Sequence, residues 1–346
     1  MTTRCWWCLA VIAALAAIAV DLRSSANVDV VAVAVRPFRE TIPEFVPDQV
    51  VATTSGYYAL DSRGHRILEM DGAKLVVRQI GRIGQDPGSL YHPAWIAVHA
   101  DGHLYVLDDV AHRIQTFGTD GHLDAHFSID LNINASAVAS DGHVLVNDPQ
   151  TGYLVTELDR SGKLVRRFGA LHHMSDFYGP AVRSLDKTQR YSANRGIIGV
   201  DRTGNVYVAF ENAPFIEKYD SAGTLVFSKP VDGVEADMIR DGVQRTKDAP
   251  MRHSVRGDES AGPYVVNGFA MDGETGTMYL VLQWKQSWIY VLDSAGTTRG
   301  VLTGQLGPMS LRNVTLDARR HTLLASRNAV RPSERAYEIV LPERWR

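Results

Sequence analysis

Cysteine is nearly absent. The 346 residues hold two, Cys5 and Cys8, and both lie within the first twenty positions. The rest of the chain has no disulfide and no thiol nucleophile. Its core alone must hold it, and a body of this length can bury enough surface for that. The Cys5-x-x-Cys8 spacing is that of redox or zinc motifs, but an apolar leader is the wrong setting for either. Long runs of one charge sign are also missing. With 36 Lys and Arg against 39 Asp and Glu, the net charge is −3. That balance gives no global pull toward nucleic acid or an anionic membrane. No segment is low-complexity, no long helical pattern occurs, and G-x-S-x-G, the nucleophile elbow of many serine hydrolases, is absent. What remains is 45% hydrophobic and 22% charged, the composition of a soluble globular protein.

Residues 1–26 stand apart. Met1 to Arg4 is a short positive region, and Cys5 to Val20 is apolar until Asp21. About 16 apolar residues are long for a signal-peptide core and short for a spanning helix. Ala17-Ile18-Ala19 is a candidate cleavage site, with Ser24-Ser25-Ala26 as a second. The segment reads as a signal peptide or an uncleaved anchor. Either places the rest of the chain outside the cytoplasm, with membrane contact only through this segment.

Residues 27–346 read as repeats of short strands. The clearest unit is 93–121, in which Ile96, Val98, Tyr105, Leu107, Ile114 and Phe117 sit near alternate positions. Asp101-Gly102 and Asp120-Gly121 punctuate it as turns. Weaker copies define six units, near 48–82, 83–130, 131–170, 193–230, 263–304 and 309–342. Four short strands recurring every 40 or so residues indicate an all-β, six-bladed β-propeller. The sixth unit lacks a fourth strand. The β-branched run 28–36, VDVVAVAVR, has no hairpin partner nearby. The expectation is that this N-terminal strand closes the last blade as its outer strand, since closure removes an exposed edge.

The lead unit resembles the NHL repeat. Its Pro93, Asp101-Gly102, Tyr105-Val106-Leu107-Asp108 and His112-Arg113-Ile114-Gln115-Thr116-Phe117, ending at Gly121, follow that pattern. Gly81, Gly84, Pro87-Gly88 and Leu90 look like its usual lead-in. The other five units are degenerate; the fourth and fifth lack the Asp and the Arg-Ile-Gln. The resemblance implies a six-bladed NHL-like propeller. It implies no single activity, because relatives of this shape include scaffolds, ligand binders, lyases and lactonases.

Two links between blades are long, 171–192 and 231–263. Both belong on the face that carries the second-to-third-strand loops, beside blade four. Insertions of this length commonly carry function. On the same face the sequence places His92 and Trp95 at blade two, Arg195 at blade four, Asn267 at blade five and Arg312-Asn313 at blade six. Trp284, Lys285 and Trp288 belong to the blade-five loop; Arg327, Arg331 and Arg335 occupy or flank the blade-six loop. Packing between blades is the plain alternative for the two Trp, and surface ion pairing for each Arg. A pocket with Trp and Arg suits a small anionic or aromatic ligand, or a protein partner.

Enzyme readings find less support. Amidating lyases of NHL-like shape hold zinc with channel histidines, yet only His92 begins an inner strand here. His65, His99, His103, His112, His122, His126 and His143 fall at turns or outer strands, with no convincing metal-ligand spacing. Gluconolactonase-like propellers hold calcium with oxygen ligands. Asp48, Asn194, Asn267 and Asn313 are the corresponding candidates, but that family's Glu-Gly-Pro-x-Trp opening is missing. The expected function is therefore an exported binding scaffold with no cofactor or metal. A metal-dependent, lactonase-like hydrolase, with calcium as the candidate ion, or a lyase at the channel mouth is the alternative, and an assembly subunit with an apolar patch is a third reading.

Overall fold

The computed structural model describes residues 28–38, 47–129, 135–180, 191, 193–246, 252–253, 259–260, 264–304, 311–327 and 336–345. The leader, Arg331 and Arg335 lie outside the described residues. Six small sheets form a six-bladed β-propeller. Blade one is Gln49–Ala52, Gly56–Asp61, Arg66–Asp71 and Val76–Ile80. Blade two is Pro93–Val98, Leu104–Asp108, Arg113–Phe117 and Leu123–Ser128. Blade three is Ala135–Val138, Val144–Asn147, Val155–Leu158 and Leu164–Phe168. Blade four is Gly196–Val200, Val206–Phe210, Phe215–Tyr219 and Leu225–Pro230. Blade five is Val266–Met271, Met278–Gln283, Ser287–Leu292 and Thr298–Gly304, and blade six contributes Leu311–Asp317, Thr322–Arg327 and Ala336–Val340.

Within a blade the strands run antiparallel, joined by turns whose chemistry repeats. Asp159, Asp220 and Asp293 each accept, through Oδ1, the backbone N–H groups two and four residues on. Each turn then closes on a glycine at positive φ: Gly162, Gly223 and Gly296. The second and third strands are buried on both faces, whereas the outer strands expose one. Burial on both faces follows from stacking. Leu60, Ile67, Ile96 and Val106 fill the layer between blades one and two, and five further apolar clusters fill the other interfaces around the ring.

The closing strand is shorter than its sequence run suggests. Only Val35–Pro37 pairs with Ala336–Val340 as the outer strand of blade six. Asp29–Val33 instead lies parallel to Thr298–Gly304 and gives blade five a fifth strand. The physical reason is on the receiving edge. Gly300 leaves room there for Trp345, whose ring atoms would come within 2.1 Å of a β-carbon on residue 300. Arg344 pairs with Asp29, and Tyr279 donates to the Trp345 carbonyl at 3.3 Å. The C-terminal turn thus clamps the first strand onto blade five.

Val33 is buried in the layer between blades five and six, where a full valine side chain contributes roughly 1.5–3 kcal/mol. Deleting the chain through Val33 is expected to lower the melting temperature, and deleting it through Pro37 to lower it further. An unchanged melting temperature after the longer deletion would sink the closure argument.

Candidate functional site at the channel mouth

The lead repeat explains itself once folded. Arg113 on the third strand of blade two donates to the carbonyls of Gln85 at 2.5 Å, Asp86 at 3.2 Å and Ser89 at 2.7 Å. It also meets Asp108 Oδ2 at 3.1 Å. Asp108, fully buried, accepts the N–H groups of Tyr91 and His92 at 2.8 and 2.7 Å. Gln115 donates to Ser89 O and accepts from Gly88 N. The Asp-Arg-Gln set therefore folds the 81–92 link and presents His92 at the mouth. Its polar groups are spent on that link and on one another.

The first residues of the inner strands ring the mouth, and three of those strands carry a bulge near that end. The register shifts between Pro93 and Trp95, between Val266 and Gly268, and between Arg312 and Thr315. A bulge re-aims the side chains beside it. Asn267 sits in one, and its amide donates to Gln283 Oε1. Asn313 sits in another, flanked by Arg312, with Asn313 at φ 47° and its amide donating to Asp48 O at 2.8 Å. The Arg312 side chain is exposed and makes no hydrogen bond or ion pair among the described residues.

Other expected residues are engaged. His92 Nδ1 lies 2.6 Å from Asp109 Oδ1 and remains half-exposed. Arg195 donates to Glu211 Oε2 at 2.8 Å and stands over the Tyr264 ring at 5.6 Å. Trp95 packs against the layer between blades two and three. Trp288 is 5% exposed within the layer between blades four and five, so its ring contributes packing. Lys285 is exposed. Arg327 ends the second strand of blade six, and its side chain lies outside the described residues. Among the oxygen candidates, Asp48 accepts from Ser62 N, and Asn194 exchanges hydrogen bonds with the His172 backbone.

The two inserts contribute helices: α1, Met174–Tyr178, and α2, Val234–Thr246. Helix α2 buries Ala236, Ile239 and Val243, one face at helical spacing. Its Gly242 costs about 1 kcal/mol against alanine in a helix interior. The close approach of the Trp284 ring explains it, since a β-carbon at 242 would come within 2.8 Å of that ring. Gln244 on α2 donates to Tyr178 O on α1 at 2.8 Å. The inserts and the blade-five loop are thus one wall beside blade four.

His172 is the root of that wall, and it is not among the site residues singled out from the sequence. Its Nε2 lies 2.8 Å from Glu217 Oε1, its Nδ1 3.6 Å from Asp176, and its ring packs among Phe177, Phe210 and Phe215. Glu217 is buried and also accepts from Tyr219 and Ser228. Burial pulls the imidazole down, but the hydrogen bond and charge of Glu217, joined by Asp176, outweigh it and hold His172 above its usual range.

The chain is similar to solved propellers. One is a protein of Bacteroides fragilis with the provisional name of exported protein, at 10% identity and TM-score 0.57, covering 89% of this chain and 93% of that one. Another is a streptogramin B lyase, at 10% identity and TM-score 0.53, covering 90% and 98%. A third is a catalytically inactive virginiamycin B lyase of Staphylococcus aureus with quinupristin, at 9% identity and TM-score 0.52, covering 90% and 100%. At these identities the likeness is one of fold. No family model matches the chain, and no curated protein sequence matches it.

Two outcomes follow from these contacts. Arg113→Ala strands a buried carboxylate and is expected to cost about 3–5 kcal/mol in urea unfolding; Arg113→Lys should recover little, because an ammonium cannot fork across several carbonyls. A loss under about 1 kcal/mol for Arg113→Ala would refute the assignment. For His172, a raised folded pKa means its stabilisation is full below the unfolded value of 6.5 and is lost as pH rises through the folded value. Stability should therefore fall over that rise in the parent protein, and His172→Gln should flatten that component of the profile. Identical pH profiles for the two proteins would show that the pair is not formed.

Proposed function

We propose that this protein is an NHL-like binding scaffold working outside the cytoplasm, and that its ligand or protein partner docks on the insert-bearing face. The observation that carries the reading is the joined wall. Helices α1 and α2 bond to each other, and α2 packs against Trp284. A wall fixed in advance loses little conformational freedom on binding. It stands beside a mouth where Arg312 has no partner among the described residues, and where Arg195 is backed by Tyr264 and oriented by Glu211. Guanidinium groups beside rings and amides suit a carboxylate or another planar anion. Export is supported by the apolar leader and by the name of the Bacteroides fragilis neighbour. Among the described residues no helix is long and apolar enough to cross a membrane.

The test is a thermal-shift screen of the full chain against carboxylate-bearing peptides and aromatic or sugar acids. A ligand of the folded state raises the melting temperature by mass action. Arg312→Glu reverses the charge at an exposed site, so it should leave the unliganded melting temperature unchanged. It should weaken the best ligand by about tenfold or more, the scale of a charge-assisted hydrogen bond. Undiminished binding by Arg312→Glu would overturn the assignment of this face.

A further inference from the structure

The opposite face carries a second constellation, formed where blade three meets blade four. The turn Asp141-Gly142-His143 joins the first two strands of blade three. Strand register then places Leu145, Glu157 and Arg166 in one row across three strands. Leu145 is two residues from His143, so the row and the histidine share a face. His143 Nδ1 lies 2.7 Å from Glu157 Oε1 and 3.5 Å from Asp141 Oδ2. One donor atom from each of the three residues falls within 4.8 Å of the others.

We propose that Asp141, His143 and Glu157 form a binding site for a divalent transition-metal ion such as zinc. The donor set is one imidazole and two carboxylates, which suits zinc, cobalt or manganese and argues against calcium, whose ligands are oxygens. The remaining contacts prepare the donors. Asp141 Oδ1 accepts the His143 backbone N–H at 3.0 Å, which leaves Oδ2 for the ion. Glu157 Oε2 accepts from Arg166 Nε at 2.6 Å, which orients the buried carboxylate and leaves Oε1 on the histidine side. Outer hydrogen bonds of this kind position ligands in metal sites generally.

The surroundings allow access. Asp141 and Glu157 line a cavity of about 240 Å3, together with Ser140, Arg202, Thr203 and Ser221. Three protein donors leave a fourth tetrahedral position for water or a small ligand, and the cavity gives it room. The nearby cations have partners of their own. Arg166 is on Glu157, Arg160 donates to Asp141 O, and Arg202 meets Glu274 at 3.2 Å. Blade two supplies an internal contrast. It has the same Asp101-Gly102-His103 turn, but the residue opposite Tyr105 is Thr116, and the two carboxylates that reach His103 lie on different ring nitrogens, Asp101 Oδ1 on Nδ1 and Asp124 Oδ2 on Nε2, each at 2.8 Å.

The experiment uses the full chain, freed of metal by chelator and dialysed. Zinc is titrated calorimetrically, and cobalt is added in parallel to read its visible absorption. One equivalent of zinc, a raised melting temperature and a cobalt spectrum with imidazole and oxygen donors are expected. His143→Ala and Glu157→Gln should each weaken zinc by tenfold or more. Asp141→Asn, which keeps the turn's backbone hydrogen bond, should do so without lowering the metal-free melting temperature. His122→Ala, at an exposed turn of blade two, should bind as the parent does. No binding by the parent, or binding that survives all three site substitutions, overturns the proposal. The second result would place the ion elsewhere, for example on Cys5 and Cys8.

Discussion

The structure depends on one constraint: every blade must bury both of its faces, and only a closed ring provides six such burials. Each apolar layer is shared by two neighbours. Leu60 and Ile67 of blade one meet Ile96 and Val106 of blade two, and so on around to Phe38, Tyr57 and Leu324 between blades six and one. A sheet of four short strands has no core of its own, so no blade is stable without the next. The ring therefore inherits a weak point where its ends meet. That point is secured in two ways, by Val35–Pro37 completing blade six and by Asp29–Val33 thickening blade five. The C-terminal Trp345 and Arg344 hold the second of these in place. Closure is thus a three-part latch of start, end and receiving edge.

This explains what was legible in the sequence. Blade number, strand order and turn positions are local properties, written in period-two alternation and in Asp-x-x-Gly turns, and they are read without knowing the neighbours. The division of 28–36 between two blades is not local. Both halves are β-branched and alternate alike. What separates them is Gly300, some 270 residues away, and the Trp345 ring that lies over it. The same holds for α2. The mixed charges of the 231–263 link argue for a solvated helix-and-loop segment, until Trp284 and the buried Ile239 show the face on which α2 packs.

The repeat motif was the strongest signal and the least informative about function. Asp108, Arg113 and Gln115 are recognisable together because they share one task, satisfying the carbonyl and N–H groups of the 81–92 link. A buried guanidinium that serves several carbonyls of one link and a buried carboxylate tolerates little change, and so it keeps its form. Residues at the mouth have no such shared task. Arg195 and Arg312 are ordinary arginines in sequence, told apart only because one is backed by Tyr264 and Glu211 and the other stands at a bulge. Trp284 and Trp288, four residues apart, part company for a similar reason. Trp288 fills the layer between blades, and Trp284 supports the insert.

The two faces differ in how they use the ring. On the insert side, long links leave the plane of the blades, tied back through His172 on Glu217 and joined to each other through Gln244 on Tyr178. Specificity there can change by altering links without touching an apolar layer. On the opposite side the turns are tight, and any site must be built from strand register. Glu157 reaches His143 because its strand is aligned with the strand that begins at Val144, one residue after the histidine. A site made that way is small and suits an ion; a site made from links that are joined to each other is broad and suits a larger partner. The ring leaves room for either because its core lies between blades, which leaves each rim free of the packing that holds the molecule together.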